Sequence, residues 1–295
     1  MKIGVFHPED NAEHIETLKA FTEGLRASGE NVFWGPFQTY NMCDFDLAIV
    51  FGIGKKYVKA SWQRGAIIET QQMAGKNVLI LEKGFIKRDT HYMVGLNGLN
   101  NRANFNLKSR VMPSDRFEKL NVDLKPWRTE GEHVLLIGQV PWDASVQHTD
   151  HIAWLTNTAA WINSQTSRTV IFRPHPLAAK ATPSIFGTQR SNRSLESDLR
   201  KAHAVVTFNS NTGVDALLEG IPAYADDEGS MIYSVCNRLK NNAIDCPSLY
   251  NRETWAYNLA YTQWNYEEMR SGEAWAHIKS IAFKKQQGDK CESNT

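Results

Sequence analysis

With 295 residues, 42% hydrophobic and 11% aromatic, the chain can bury one large core or two of ordinary size, which excludes a disordered or low-complexity protein. No run of about 18 apolar residues exists, so no membrane-spanning helix is expected. The net charge of +1 by itself selects no partner. The opening MKIGVFHPED meets a proline and two acids before any long apolar stretch, unlike a signal peptide, and a cytoplasmic location is expected. Cys43, Cys236, Cys246 and Cys291 show no metal-ligand spacing. Cys236 and Cys246 would pair only in an oxidising compartment, and thiols are the expected state.

In chain order, KIGVF reads as a short strand. Ile15, Leu18, Phe21 and Leu25 then follow at helical spacing before Gly29. NVFW is a second strand. DLAIVFGIG is a buried strand ending in glycines, with a helix expected near 58–74, and NVLILEKG is the next strand. Strands separated by helices of this length imply a parallel sheet covered on both faces. The pattern breaks over 84–130, which reads as irregular and as a connection between domains. A second alternating block runs from HVLLIGQ through a helix at about 149–164, TVIFRP, a helix near 194–201, AVVTFNS, a helix at about 211–219 and IPAYA. Residues 251–283, rich in Trp and Tyr, read as helical. The expected fold is α/β, with two Rossmann-like domains facing each other across a cleft. The first covers 1–128 and the second 129–250, followed by C-terminal helices and a tail over 251–295. Neither a GxGxxG dinucleotide fingerprint nor a Walker A sequence is present.

Charge is unevenly spread. Residues 51–128 hold fifteen Lys or Arg against six acids, a local balance of +9, so the rest of the chain carries −8. This is either a solvated face or a surface for a polyanion.

In open parallel sheets, ligands bind beyond the carboxyl ends of the strands. Three such ends in the second block are polar: Gly138, Gln139 and Asp143 in LLIGQVPWD; Arg173 and His175 in IFRPHP; and Ser210, Asn211 and Thr212 in VVTFNSNTGVD. Small polar side chains at a strand-to-helix turn, a guanidinium fork and an imidazole suit an anionic ligand such as a phosphate. Taken singly, Ser210 or Asn211 reads as a helix cap and Arg173 as half of an ion pair.

RPHP followed about 35 residues later by FNSNTGVDALLEGIPAYA resembles the two-Rossmann-domain (GT-B) glycosyltransferases. The likeness is to bacterial capsule transferases of the Kdo type and, more distantly, to sialyltransferases, and it extends over roughly 133–280 with the aromatic C-terminal segment. It implies that His175, Ser210 and Thr212 hold the phosphate of a nucleotide-sugar donor, a UDP- or CMP-sugar. NSNT stands where such enzymes often carry paired hydroxyl residues. The resemblance also implies a first domain that receives the acceptor. A polyanionic acceptor would account for the basic segment. DNA, at a hydroxymethylated pyrimidine of a bacteriophage, is the reading placed first, with an acidic capsular polysaccharide or lipopolysaccharide second. A non-catalytic nucleotide or nucleic-acid binder on the same fold is the third. Asn97, Asn100 and Arg102 in the loop GLNGLNNRANF, with Lys55 and Lys56, are the expected acceptor contacts. Amides and an aromatic there suit sugar hydroxyls or an extruded base.

Glycosyl transfer to a hydroxyl needs a stabilised leaving diphosphate and, for inversion, a base within reach of that hydroxyl. Glu82, Asp89 and His91 are the candidates in the first domain, none within a diagnostic motif. No DxD pair is evident that would chelate a metal beside a diphosphate. The acidic cluster ADDEG, 225–229, could bind a metal but reads first as a solvated turn or as contacts to the donor ribose. No metal ligand is assigned, no cofactor beyond the donor is expected, and metal dependence stays open.

Overall fold

The computed structural model describes all residues except 42–43, 55–61, 106, 108–109 and 284–295. The first domain opens with β1 (Ile3–His7), α1 (Ala12–Ala27), β2 (Val32–Pro36), β3 (Leu47–Phe51), α2 (Trp62–Met73) and β4 (Asn77–Lys83). Asn11 starts α1 by accepting a hydrogen bond from His14 N at 3.0 Å, and Leu18, Phe21 and Leu25 bury its inner stripe. β3 is buried at every residue, which is why LAIVF is an unbroken apolar run rather than an alternating one. These four strands are mutually parallel, in the order β2-β1-β3-β4.

The sheet then departs from the sequence expectation. Within the stretch read as irregular lies β5 (His91–Leu96), antiparallel to β4. The seven residues between the two strands are too few for a crossover helix, so only antiparallel pairing is available. HYMVGL gave no signal because both of its faces are buried and it does not alternate. A short helix, α3 (Asp115–Lys119), leads out of the domain.

The second domain contains β6 (His133–Ile137), α4 (His151–Gln165), β7 (Thr169–Arg173), β8 (Gln189–Arg190), α5 (Leu195–Arg200), β9 (Ala202–Thr207), α6 (Thr212–Leu218) and β10 (Ala223–Ala225). Its five strands are all parallel, in the order β10-β9-β6-β7-β8. Strand alternation sorts the core: Val134, Leu136, Val170 and Phe172 pack with α4, whereas Leu135, Ile137 and Ile171 face the side of α5 and α6. That second cluster continues into Phe85, Ile86 and Met93, so the two domains share apolar contact.

After α7 (Glu253–Ala260) the chain returns to the first domain, where β11 (Gln263–Asn265) pairs antiparallel with β5 and becomes the sixth strand. The helical reading of 251–283 had no place for this strand. α8 (Tyr266–Arg270) and α9 (Glu273–Ala282) then pack on α1. The approach of α1 to α8 requires Gly24, since a Cβ there would stand 1.8 Å from the Met269 carbonyl oxygen. Trp264 and Trp275 are buried in this return. Arg116 of α3 pins it: the guanidinium lies 3.7 Å over the Trp264 ring and donates to Glu268, Glu273 and the carbonyls of Ala260 and Gln263.

Candidate functional site

The carboxyl ends of β4, β6, β7 and β9 converge where the domains meet. At β7, the neutral form of His175 is favoured by burial, and its Nδ1 accepts a hydrogen bond from Leu177 N at 3.2 Å. With Nδ1 so occupied, the proton of the neutral ring resides on Nε2, which is left as a donor. The charge of Asp143, after β6, acts electrostatically on both His175 after β7 and Glu82 at the end of β4. The Asp143 Oδ1 is held by its own turn, accepting from Ser145 N at 2.9 Å and Ser145 Oγ at 2.8 Å.

Gln139 is buried and paired in both directions with Asn209: its Nε2 donates to Asn209 Oδ1 at 2.7 Å, and its Oε1 accepts from Asn209 N at 3.1 Å. It therefore braces β6 against β9. Gly138 N donates to the Arg173 carbonyl at 2.8 Å, tying β6 to β7. Ser210 Oγ accepts from Thr212 N at 3.2 Å and lies 3.3 Å from Thr212 Oγ1, so the hydroxyls shape the turn that opens α6. Asn211 turns the other way and donates to the Phe85 carbonyl of the first domain at 2.9 Å.

Arg173 departs from the expected phosphate role. Ile171 and Arg173 share the strand face that carries α5, so the guanidinium reaches Asp198 at 2.9 Å and the Arg193 carbonyl rather than the cleft. Asp198 is completely buried and also accepts from Ser191 Oγ at 2.6 Å.

Of the acceptor candidates, Arg102 is a bidentate partner of Asp227 across the cleft, at 2.9 and 2.6 Å. Asp227, of the ADDEG cluster, also accepts from Asn209 Nδ2 at 2.7 Å, which makes it the knot between the domains. Asn97 holds its own turn at φ 57°, its Oδ1 accepting from Val78 N at 2.8 Å. Asn97, Asn100 and Arg102 nevertheless line one end of an inter-domain cavity of about 250 Å³, with Ile53, Ile68 and Ser145 among its other walls. Lys55 and Lys56 lie outside the described residues.

The three candidate bases separate clearly. Asp89 is exposed on the turn before β5. His91 faces a second cavity of about 600 Å³ with Lys87, Arg116 and Glu268, which shares no residue with the first. Glu82 follows Ile80 on the α2 side of β4, and burial raises its carboxyl above the ordinary range, with the charge of Asp143 from the second domain adding to the effect. Beside it stands Arg64 of α2, a residue the sequence reading passed over. Arg64, Ile68 and Gln72 recur at i, i+4 and i+8 on one helix stripe, and a cation one turn before the buried Ile68 was the available signal.

Six cations of the basic segment find partners inside the fold. Lys83 pairs with Glu13, Arg88 with Asp215, Arg102 with Asp227, Arg116 with Glu268 and Glu273, and Lys125 and Arg128 with Glu219. Every one of these acids lies outside 51–128, so the opposed charges of the two sequence regions meet as ion pairs. Among the described residues there is no group of three or more His, Cys, Asp or Glu placed to hold a metal, and no helix is long and apolar enough to cross a membrane.

Two Rossmann-like domains with their strand ends opposed define the GT-B class of α/β fold. Two solved structures share it across nearly the whole chain: the KpsC β-Kdo 2,4 transferase of Thermosulfurimonas dismutans, with TM-score 0.60 and 14% identity over 89% of this chain and 91% of that one, and the KpsC β-Kdo 2,7 transferase of the same organism, with TM-score 0.56 and 14% identity over 97% and 100%. At such identity the likeness is one of fold. No protein-family model and no curated protein sequence matches the chain.

Proposed function

We propose that this protein transfers a sugar from a nucleotide-sugar donor to a hydroxyl of a saccharide acceptor. What supports the reading is a carboxyl raised by burial at the end of β4 (Glu82) and an imidazole whose Nε2–H is left as a donor at the end of β7 (His175), both under the influence of the Asp143 charge, on the fold of two transferases. In a single displacement the acceptor oxygen bonds to the anomeric carbon as its proton passes to Glu82. The bond from that carbon to the phosphate oxygen breaks, and the electron pair leaves with the nucleotide, steadied by His175 and the Ser210–Thr212 turn.

The decisive assay incubates the protein with UDP- and CMP-sugars and measures their slow hydrolysis without acceptor; a protein that hydrolyses neither is not this enzyme. The donor role is checked by calorimetry with UDP and CMP. His175→Ala should weaken the bound nucleotide by about 1.5–3 kcal/mol, the worth of a hydrogen bond to a charged group. An unchanged affinity removes His175 from the donor site.

Saccharide is placed ahead of DNA because six cations of the segment that favoured a polyanion are engaged in internal pairs. Fluorescence anisotropy with a labelled duplex should accordingly show weak binding and a shallow salt dependence. A steep log–log slope, near −0.9 for each of several phosphate contacts, would restore the DNA acceptor.

A further inference from the structure

Arg64 is a cation without an adequate partner. Its guanidinium is half-buried, which disfavours the charge, and it donates to the Phe51 carbonyl at the end of β3. Its Nε is buried with no hydrogen-bond partner. Among the described residues no carboxylate forms an ion pair with it. Yet Glu82 is close: a Cβ added at Gly52 would lie 3.0 Å from Arg64 Nη1 and 3.2 Å from Glu82 Oε2. The two side chains thus flank the same bare stretch of backbone without joining, and Gly52, at φ 71°, leaves the gap between them open. Along α2 the stripe continues from Arg64 through Ile68 to Gln72, both of which line the inter-domain cavity. A half-buried guanidinium left this way would be stabilised by an anion, and its planar fork suits a carboxylate or a phosphate.

We propose that Arg64 selects acceptors that carry a carboxylate or phosphate beside the reacting hydroxyl, gripping that anion while Glu82 receives the hydroxyl proton. The site takes an acidic or phosphorylated saccharide. Calling it the acceptor rests on the glycosyltransferase reading, because Arg64 belongs to the domain opposite His175 and Ser210. The anion also has a second effect: by offsetting the Arg64 charge, which favours ionised Glu82, it makes that carboxylate more basic only once the acceptor is seated.

The test follows the Arg64 Nε–Hε resonance of the nitrogen-15-labelled full chain, assigned by its loss in Arg64→Lys. Methyl β-D-glucuronoside, glucose 6-phosphate and neutral methyl β-D-glucoside are titrated in turn, with uridine diphosphate in a parallel series. A saturable shift with an acidic sugar, at concentrations at least about tenfold below any response to the glucoside, is the expected result; the sugar that saturates first distinguishes carboxylate from phosphate. Arg64→Gln should weaken that sugar by about tenfold or more and leave uridine diphosphate within about twofold. Equal response to the neutral glucoside, or silence with all three sugars, overturns the anion site. If uridine diphosphate binds meanwhile, the donor reading survives that failure. A shift driven by uridine diphosphate alone would move Arg64 to the donor side and equally overturn the proposal. Failure of uridine diphosphate to bind counts against the donor reading and leaves the sugar titrations to decide Arg64.

Discussion

Glu82→Gln should lower the rate of sugar transfer by about 10²–10⁴-fold, the usual contribution of a positioned general base, with nucleotide affinity unchanged. The amide keeps the shape of the side chain and removes its capacity to take a proton. The same change should make the protein more stable at neutral pH, because burial favours the uncharged carboxyl. The sign follows from linkage: the folded-state pKa lies above the unfolded one, so the stability of the wild type is complete below the ordinary Glu range and is lost as pH rises through the raised value. The gain in melting temperature of Glu82→Gln over wild type should therefore be near zero in acid, grow across that window and then level off. Transfer by the wild type should rise over the same window as the base ionises. Calorimetric melting across a pH series, with single-turnover rates, measures both. A variant that retains transfer within about threefold of wild type would eliminate Glu82 as the base.

Arg173→Ala should cost about 3 kcal/mol of folding stability, because it withdraws the cation from a completely buried carboxylate. Arg193 Nε, 3.2 Å from Asp198 Oδ1, remains and keeps the loss toward the lower end for a broken buried pair. Nucleotide affinity, measured below the unfolding transition, should not change. Denaturant unfolding monitored by tryptophan fluorescence reads the first quantity and calorimetry the second. If affinity falls while stability holds, the side chain serves the ligand after all, and the pairing with Asp198 is incidental.

These two residues show where sequence reasoning succeeds and where it stops. Apolar runs such as LAIVF and HVLLI announce buried parallel strands by themselves, and helices 12–27 and 151–165 are legible from spacing and caps. That Glu82 and Arg173 stand at strand ends was equally plain. Which way each points was not, since a strand directs alternate residues to opposite faces, and the choice depends on what covers each face. Arg173 shares its face with Ile171 and meets an acid twenty-five residues on, in a helix of only six residues. β5 was hidden for a related reason: its pairing depends on a short connection and on β11, which lies at the other end of the chain. The internal pairs of the basic segment were hidden for want of the same information, its partners being distant in sequence and adjacent in space.

The return of residues 263–282 to the first sheet also has a bearing on biosynthesis. The second domain is one uninterrupted stretch of chain, so its five strands are all available once β10 has emerged from the ribosome. The first sheet lacks an edge strand until β11 is made, and α1 lacks its cover until α8 and α9 follow. During elongation, the surface that finally buries Trp264 and Trp275 still stands open when α7 closes the core of the later-encoded domain. The domain begun first is thus the last to mature, and a nascent chain exposed as far as residue 262 would present a second domain already covered by α7 beside an unsealed first one.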